Sequence, residues 1–177
     1  MKVLGVITAR GGSKRIKRKN VRGLKNKPLI VWTIEAAQKS RFFNRLILSS
    51  EDNEIIKIGL DYGLEVPFVR PEELATDEAT SLDVVLHAVK NIDFTPDIVV
   101  ILEPTSPLRT VEDIDNLISM HICLDADSVF SKSMGLFSVK RNTLLKGSLY
   151  GEDSIELESD LIDINVEADF KLAEALC

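Results

Sequence analysis

Cysteine is scarce in this sequence, which has only Cys123 and Cys177 among its 177 residues. Because the second of these is the last residue, a disulfide framework is excluded and a reducing compartment is favoured. No apolar run approaches the ~20 residues that span a bilayer, which excludes a membrane-spanning protein. Residues 1–7 also lack the length and the cleavage pattern of a signal peptide. We therefore expect a cytoplasmic protein that has no membrane partner.

Aromatic residues are also few, at 6 % of the chain, whereas hydrophobic residues make up 45 % and charged residues 28 %. This balance is typical of a folded globular protein and excludes a disordered chain. A chain of this length buries about 70 % of the surface that its unfolded form exposes, so its core needs neither disulfides nor a structural metal. The length favours a single domain over residues 1–177.

The positive charge is concentrated in one segment. The net charge of −6 argues against a general nucleic-acid-binding surface. Residues 10–27, however, hold nine cations and no acid, while the rest of the chain, with 13 basic and 28 acidic residues, carries −15. A solvated arm, a targeting patch and a nucleic-acid patch are common explanations of such a run. We rank a small polyphosphate ligand ahead of them, because the run begins with glycines, ends at Pro28 and lies between a predicted strand and a predicted helix.

Strands and helices alternate along the chain. Short apolar runs predict strands at residues 3–8, 45–49, 65–69, 97–102, 128–131 and 136–139. Periodicity and capping residues predict helices behind Pro28, over 51–62, from Thr80 or Ser81, behind Thr110 and at the end of the chain. This alternation predicts an α/β fold in three layers, doubly wound around a mainly parallel sheet. The loops 9–20, 70–81, 103–109 and 163–165 should then meet at one rim.

The first of these loops has the chemistry of an anion site, although it contains neither a Walker motif nor a dinucleotide fingerprint. Gly11 and Gly12 let the backbone approach phosphate oxygens, Ser13 supplies a hydroxyl, and the following amides can form an anion-binding nest. The charges that we expect to contact phosphate are a bidentate arginine and two mobile lysines, namely Arg10, Lys14 and Lys19.

The string ITARGGSKRIKRKNVRGLKNKPLI resembles the N-terminal signature of the acylneuraminate cytidylyltransferases. The resemblance continues in order through SSEDNEI, RPEELATDEATSLDVVLHAV, VVILEPTSPLRTVEDID, DSVFS and IDINVEADFKLAEAL, so it covers most of the chain. It implies a Rossmann-like nucleotidyltransferase fold. It also implies a reaction in which CTP and a nine-carbon acidic sugar give a CMP-sugar and pyrophosphate, with the help of Mg²⁺.

The same resemblance implies roles for individual residues. Around the CTP phosphates and base it places Arg10, Ser13, Lys14, Lys19 and Asn20. In the cytidine pocket it places Arg70, Ala75 and Ser81. Asp163 would hold Mg²⁺, and Asn165 stands where the family usually has a second aspartate. An amide oxygen can bind Mg²⁺ but carries no charge, so we expect weaker metal binding than is usual in the family.

The implied mechanism is an in-line attack of the anomeric hydroxyl on the α-phosphorus, with Arg10, Lys19 and the metal offsetting the developing charge. No general base is evident, because His87 and His121 lie in predicted helices and suit packing or surface positions. Simpler roles stay open at two places. Asp163 can be the N-cap of the last helix, and residues 103–107 can form a rigid turn.

Two departures from the family pattern bear on the acceptor sugar. Residues 132–160 are shorter than the family segment that contributes sugar-binding arginines and a dimer protrusion, and Lys140 and Arg141 are the nearby cations that could substitute. Glu103 replaces a usual glutamine, and its charge should disfavour an anionic sugar. A nucleotide-binding member with impaired catalysis and an interaction or regulatory role is therefore the alternative. The family resemblance implies a homodimer, although the short segment weakens that expectation.

Overall fold

Six strands form the central sheet of the computed structural model, which describes all 177 residues. These strands are β1 (Val3–Thr8), β4 (Arg45–Ser49), β5 (Ile98–Leu102), β6 (Ser128–Ser131), β7 (Leu136–Lys140) and β8 (Ser154–Glu156). Their order is β4-β1-β5-β7-β6-β8, and only β7 runs antiparallel to its neighbours. A separate small hairpin pairs β2 (Gly23–Leu24) with β3 (Lys27–Pro28). The predicted mainly parallel sheet is confirmed.

Six α-helices connect or cover the strands. They are α1 (Leu29–Gln38), α2 (Asn53–Asp61), α3 (Ser81–Lys90), α4 (Val111–Leu124), α5 (Arg141–Leu145) and α6 (Glu167–Leu176), and single 3₁₀ turns occupy Lys19–Val21 and Glu72–Leu74. The predicted caps are confirmed, because Thr80 with Asp83 and Thr110 with Asp113 form reciprocal capping boxes. None of the helices has the length and apolarity that crossing a membrane requires.

Helices cover both faces of the sheet, because successive apolar side chains of each strand point to opposite faces. On β1, Val3 and Ile7 point into a core with α1, α2 and α4, while Leu4 and Val6 point into a second core with α3 and α5. The three-layer arrangement is therefore confirmed. A third apolar cluster joins α6 to the β2–β3 hairpin, and its members include Phe170 and Leu24.

One predicted strand is wrong. Residues 65–69 run along the edge of β4, but only Glu65 forms a bridge, with Ile47. Pro67 has no N–H to donate to a ladder. The chain instead re-joins the sheet edge through the amide of Arg70, which donates to the Ser50 carbonyl at 2.9 Å.

The strict alternation of strand and helix also fails between β6 and β7, which form a hairpin whose turn contains Gly135 at φ +53°. Because β7 is antiparallel, its last residue, Lys140, pairs with Ile98 at the start of β5. Lys140 and Arg141 therefore lie at the opposite end of the sheet from Glu103. The expectation that these two cations substitute for sugar-binding arginines is wrong.

Candidate functional site

A cleft of about 290 Å³ opens at the carboxyl ends of β1 and β5. Three of the four predicted loops line it, namely the loops after β1, after residue 70 and after β5. The fourth loop adjoins the third, because the Ile164 amide donates to the Thr105 carbonyl at 2.8 Å. Of the predicted site residues, those that line the cleft are Arg10, Ser13, Lys19, Asn20, Arg70 and Ser81.

Arg10 joins the first loop to the second. Its guanidinium donates to the Thr76 carbonyl at 2.6 Å, to the Ala75 carbonyl at 3.3 Å and to the carboxylate of Asp77 at 2.6 Å. The other oxygen of Asp77 pairs with Lys14 at 2.6 Å. Hydrogen bonds from Lys14 and Arg10 hold the pKa of Asp77 below its usual range. The predicted residue Ala75 thus contributes its carbonyl to this junction.

Gly11 and Gly12 do not line the cleft. The Gly11 amide donates to the carboxylate of Glu51 at 2.7 Å, and a Cβ at this position would lie 2.3 Å from an oxygen of Asp52. Gly11 is therefore required by the close approach of the N-terminus of α2. A Cβ at Gly12 would meet no atom within 4 Å.

Lys19 reaches from the 3₁₀ turn to the terminal segment, where its ammonium donates to the Ile164 carbonyl at 2.8 Å. Burial lowers its pKa, and the charges of Asp163 and Glu103 oppose that shift. The carboxylates of Asp163 and Glu103 are therefore near Lys19, but neither has an oxygen within 4 Å of its ammonium nitrogen.

Asn20 is buried at the cleft wall with 6 % of its surface exposed. Its amide nitrogen donates to the Arg10 carbonyl at 2.9 Å, whereas its side-chain oxygen is buried and has no hydrogen-bond partner. An unpaired buried acceptor is costly, and a ligand that supplied a donor would relieve this cost.

Arg70 is a buried arginine that connects the ends of two strands. Its guanidinium donates to the Ser49 hydroxyl at 3.1 Å, to the Ser49 carbonyl and to the Ala9 carbonyl at 3.3 Å. Burial lowers its pKa to about 10, which leaves it charged at neutral pH. Arg70 therefore shapes the cleft through β1 and β4 while its side chain lines the wall.

Arg109 plays a similar part on the other side, and sequence reasoning missed it. It donates to the Thr33 hydroxyl at 2.9 Å, to the Gly135 carbonyl at 3.0 Å and to the Glu103 carbonyl at 3.2 Å. Burial lowers its pKa to about 10. These hydrogen bonds hold the loop after β5 in place, in keeping with its prolines. The loop is more than a turn, because its first residues also line the cleft.

Glu103 lies in the cleft directly after β5. The Ser81 hydroxyl, at the first residue of α3, donates to its carboxylate at 3.3 Å. Burial raises the pKa of Glu103, and the negative charge of Asp163 raises it further. The cleft therefore contains an acidic group among its cations.

Asp163 is not the N-cap of the last helix. The N-cap is Val166, and the carboxylate of Asp169, in the first turn of α6, accepts from the amides of Val166 at 2.9 Å and Asn165 at 2.8 Å. The Asn165 side chain donates to one oxygen of Asp163 at 2.7 Å, and the other oxygen of Asp163 is buried without a partner. A partnerless carboxylate oxygen fits a hard cation such as Mg²⁺. Three or more His, Cys, Asp or Glu side chains do not converge anywhere, so a bound nucleotide would have to supply further ligands.

The cationic segment 10–27 is largely neutralised within the chain. Its ion-paired members are Arg10, Lys14, Arg18, Arg22 and Lys27, whose partners are the acidic residues Asp77, Asp52, Glu54, Glu167 and Glu35. Of the nine cations, only Arg10 and Lys19 line the cleft. The segment therefore offers two positive side chains to a ligand inside the cleft, not nine.

A family model described as Cytidylyltransferase matches residues 4–147. The CMP-N,N'-diacetyllegionaminic acid synthase of Legionella pneumophila is 39 % identical over 124 residues, which cover 68 % of this chain and 53 % of the relative. The pseudaminic acid cytidylyltransferase of Campylobacter jejuni is 50 % identical over 90 residues, covering 51 % and 39 %. The N-acylneuraminate cytidylyltransferase of Streptococcus agalactiae is 34 % identical over 168 residues, covering 91 % and 40 %. The chain thus spans about half the length, or less, of these curated relatives.

Solved structures agree on the fold. CMP:2-keto-3-deoxy-manno-octonic acid synthetase, solved in complex with CTP, has a TM-score of 0.81 at 14 % identity, covering 99 % of this chain and 98 % of that one. A Mycobacterium tuberculosis protein solved in complex with manganese has a TM-score of 0.70 at 17 % identity, covering 99 % of each chain. The predicted Rossmann-like nucleotidyltransferase fold is confirmed.

Proposed function

Because this chain belongs to the cytidylyltransferase family, we propose that it transfers CMP from CTP to the anomeric hydroxyl of a sialic-acid-like sugar acid and releases pyrophosphate. The relatives named above act, by their names, on legionaminic, pseudaminic and N-acylneuraminic acids. Their shared class is a nine-carbon acidic sugar.

The observation that carries this proposal is the convergence of Arg10, Lys19 and the unpaired Asn20 oxygen in one cleft. Two cations suit the phosphates, and a buried acceptor suits an amine or hydroxyl of the nucleoside. We assign the phosphates and base to Arg10, Ser13, Lys14, Lys19 and Asn20, with the Gly11–Gly12 backbone beside them. We assign the cytidine to Arg70, Ala75 and Ser81.

In the proposed reaction the anomeric oxygen forms a bond to the α-phosphorus while the bond from that phosphorus to the bridging oxygen of pyrophosphate breaks. The hydroxyl proton passes from the anomeric oxygen to solvent water, and pyrophosphate departs with the bonding electron pair. Arg10 and Lys19 hold the phosphates in line and offset the negative charge that grows on the leaving group. The fixed carbonyl partners of both side chains limit their rotation, which reduces the entropy lost on binding.

We propose Mg²⁺ as the cofactor, held by Asp163 with Asn165 beside it, and the buried unpaired oxygen of Asp163 supports this assignment. When bound, the ion would supply positive charge to the phosphate oxygens. The structurally similar manganese complex is in keeping with a divalent cation. The further expectations stand as proposals too: a cytoplasmic enzyme, in keeping with two free cysteines, that has neither nucleic acid nor membrane as a partner. The family resemblance implies a homodimer, and the short segment 132–160 weakens that implication.

The test is pyrophosphate release from CTP and Mg²⁺ in the presence of N-acetylneuraminic, pseudaminic, legionaminic or 2-keto-3-deoxy-manno-octonic acid. Release that requires CTP and one of these sugars would support the proposal, and other nucleotides should serve poorly. Thermal stabilisation by CTP without turnover on any sugar would support the alternative, a nucleotide-binding member with impaired catalysis. Neither turnover nor CTP binding would overturn both.

A further inference from the structure

Arg18 has a backbone conformation that is rare for a residue with a side chain. Its φ of 58° and ψ of 33° lie in the left-handed region. Non-glycine residues persist there mainly where the surrounding structure holds them. Arg18 directly precedes the 3₁₀ turn Lys19–Val21, and its carbonyl accepts two backbone hydrogen bonds from the end of that turn. This residue therefore sets the direction of the turn that brings Lys19 and Asn20 to the cleft.

Two carboxylates at the start of α2 hold the Arg18 side chain. Its guanidinium donates to Asp52 at 2.7 Å and also to Glu54. Asp52 is itself fixed, because it is the N-cap of α2 and its other oxygen accepts from the amides of Glu54 at 2.9 Å and Ile55 at 3.1 Å. An arginine paired with a fixed carboxylate retains less freedom than one in a pair of two mobile side chains. The ion pairs thus stabilise the left-handed conformation of Arg18.

The start of α2 also holds the other end of the first loop, where Glu51 accepts a hydrogen bond from the Gly11 amide at 2.7 Å. Gly11 directly follows Arg10 in the chain. Arg18 directly precedes Lys19, so each attachment is one residue away from a cation that lines the cleft. We call Glu51, Asp52 and Glu54 the α2 acids, and none of them lines the cleft. Their contacts therefore set the spacing between Arg10 and Lys19 from outside the cleft.

We propose that the α2 acids are positioning residues for nucleotide binding, which act through the two ends of the loop to keep Arg10 and Lys19 at the spacing that a triphosphate requires. This inference rests on the proposed function, because CTP is the triphosphate of that reaction. A loop with other accessible conformations binds its ligand more weakly, in proportion to the fraction of molecules in the competent conformation. Loss of an α2 acid should therefore raise the Kd for CTP.

The sign of the change in CTP affinity tests this proposal. Acidic side chains repel a triphosphate, so on charge alone Asp52→Asn and Glu54→Gln should bind CTP more tightly. We expect the opposite, a Kd about three- to tenfold higher in each variant, measured by calorimetry in EDTA. Asparagine keeps the N-cap of α2, and Glu54 is exposed, so both variants should fold. Asp61→Asn removes the same charge at the other end of α2 and serves as the control, with an unchanged Kd.

The arginine side of the ion pairs provides a second measurement. Arg18→Gln removes both contacts and should weaken CTP binding more than Lys17→Gln does. Lys17 is the matched control for the lost charge, because it is the preceding residue, is exposed and belongs to no ion pair. Arg18→Lys keeps the charge and should recover part of the affinity. Equal losses in Arg18→Gln and Lys17→Gln would overturn the inference.

A double variant separates positioning from a general loss of stability. In a Lys19→Ala background, Asp52→Asn should weaken CTP binding by a smaller factor than in the wild type, because the ammonium that it positions is gone. The same factor in both backgrounds would overturn the inference, as would an unchanged or lower Kd in the single variant Asp52→Asn.

Inorganic tripolyphosphate, titrated in place of CTP, separates this inference from the proposed function. CTP binding and turnover that are independent of the α2 acids would overturn this inference alone. Tripolyphosphate binding that weakens in Asp52→Asn, in a protein that does not bind CTP, would overturn only the proposed function. A wild-type protein that binds neither compound would overturn both.

Discussion

Asp77 accepts a hydrogen bond from the Arg10 guanidinium at 2.6 Å, so that an internal carboxylate holds one of the three cations that line the cleft. The same carboxylate pairs with Lys14. A triphosphate in this cleft must therefore compete with Asp77 for both side chains.

We expect Asp77→Asn to bind CTP more tightly than the wild type. The substitution removes a negative charge near the phosphates and frees two cations, but the pair is partly exposed and screened by water, so the gain should be about two- to fivefold. Isothermal titration calorimetry in EDTA measures it. Glu73→Gln, an exposed charge change on the neighbouring 3₁₀ turn, is the control. Weaker binding in Asp77→Asn would show that Asp77 assists the ligand by holding Arg10 in place.

Lys19→Ala should weaken CTP binding at least about tenfold, because it removes a half-buried cation whose hydrogen bond to a phosphate would be charge-assisted. Lys17→Ala is the matched control, since Lys17 is exposed, lies in the same loop and has no ion pair. Calorimetry on both variants gives the comparison. Equal losses in the two would mean that the segment acts only through its overall charge.

The sequence was a good guide wherever local signals decide the structure. The runs at 3–8 and 45–49 are strands with those bounds, and Thr110 with Asp113 caps a helix as its spacing predicts. The 65–69 segment misled because its apolar content resembles a strand. Pro67 is a local signal against ladder pairing, whereas the position of the segment beside β4 is a tertiary fact. The position of Lys140 depends on the direction of β7, which the sequence did not reveal.

The candidate site shows the same division between what local sequence signals predict and what depends on tertiary structure. The residues that line the cleft, such as Arg10, Lys19 and Asn20, stand in an uninterrupted motif. Four of the five acids that neutralise the cationic segment lie 34 to 145 residues from their partners, and no local pattern identifies them. Only Glu35, eight residues from Lys27, is close in sequence. Arg109 escaped notice for a related reason, since its partners lie on α1 and in the β6–β7 turn. The assignment of residues 1–177 to one domain stays a prediction.

Asn165→Asp should lower the concentration of Mg²⁺ that half-saturates the protein, by about tenfold, because it places a second charge beside Asp163. Asp163→Ala should abolish the response to Mg²⁺. Thermal unfolding at increasing Mg²⁺ concentrations in the presence of CTP provides the measurement. If both variants keep the wild-type requirement, the ion binds elsewhere.

Gly11→Ala should destabilise the fold by about 1–3 kcal/mol, because its methyl group would lie 2.3 Å from an oxygen of Asp52, the N-cap of α2. Gly12→Ala is the matched control, as its methyl group would meet no atom within 4 Å, and we expect a change within about 0.5 kcal/mol. Urea unfolding of the two variants distinguishes these outcomes. Equal stabilities would mean that the first loop moves away from α2 at little cost.

The buried His121 should make the protein less stable as the pH falls below neutrality. One ring nitrogen of His121 is hydrogen-bonded to the Ser138 hydroxyl, and the other is 3.0 Å from the Ala126 carbonyl oxygen. Burial lowers the pKa of the ring. The charge of Lys140 lowers that pKa too, while the hydrogen bond to Ala126 and the charge of Asp125 oppose the shift.

Since the folded state prefers the neutral ring, this stability is present above the ordinary pKa of about 6.5 and is lost as the pH falls through the lowered folded-state pKa. His121→Asn should therefore be less stable than the wild type at pH 8, yet lose less stability between pH 7 and pH 5. The difference in slope is at most about 1.4 kcal/mol per pH unit, the limit for one proton. Urea unfolding at several pH values measures both slopes. Parallel curves for the wild type and His121→Asn would assign the acid sensitivity to other groups. One such group is His87, the other histidine of the chain, whose pKa is also lowered by burial.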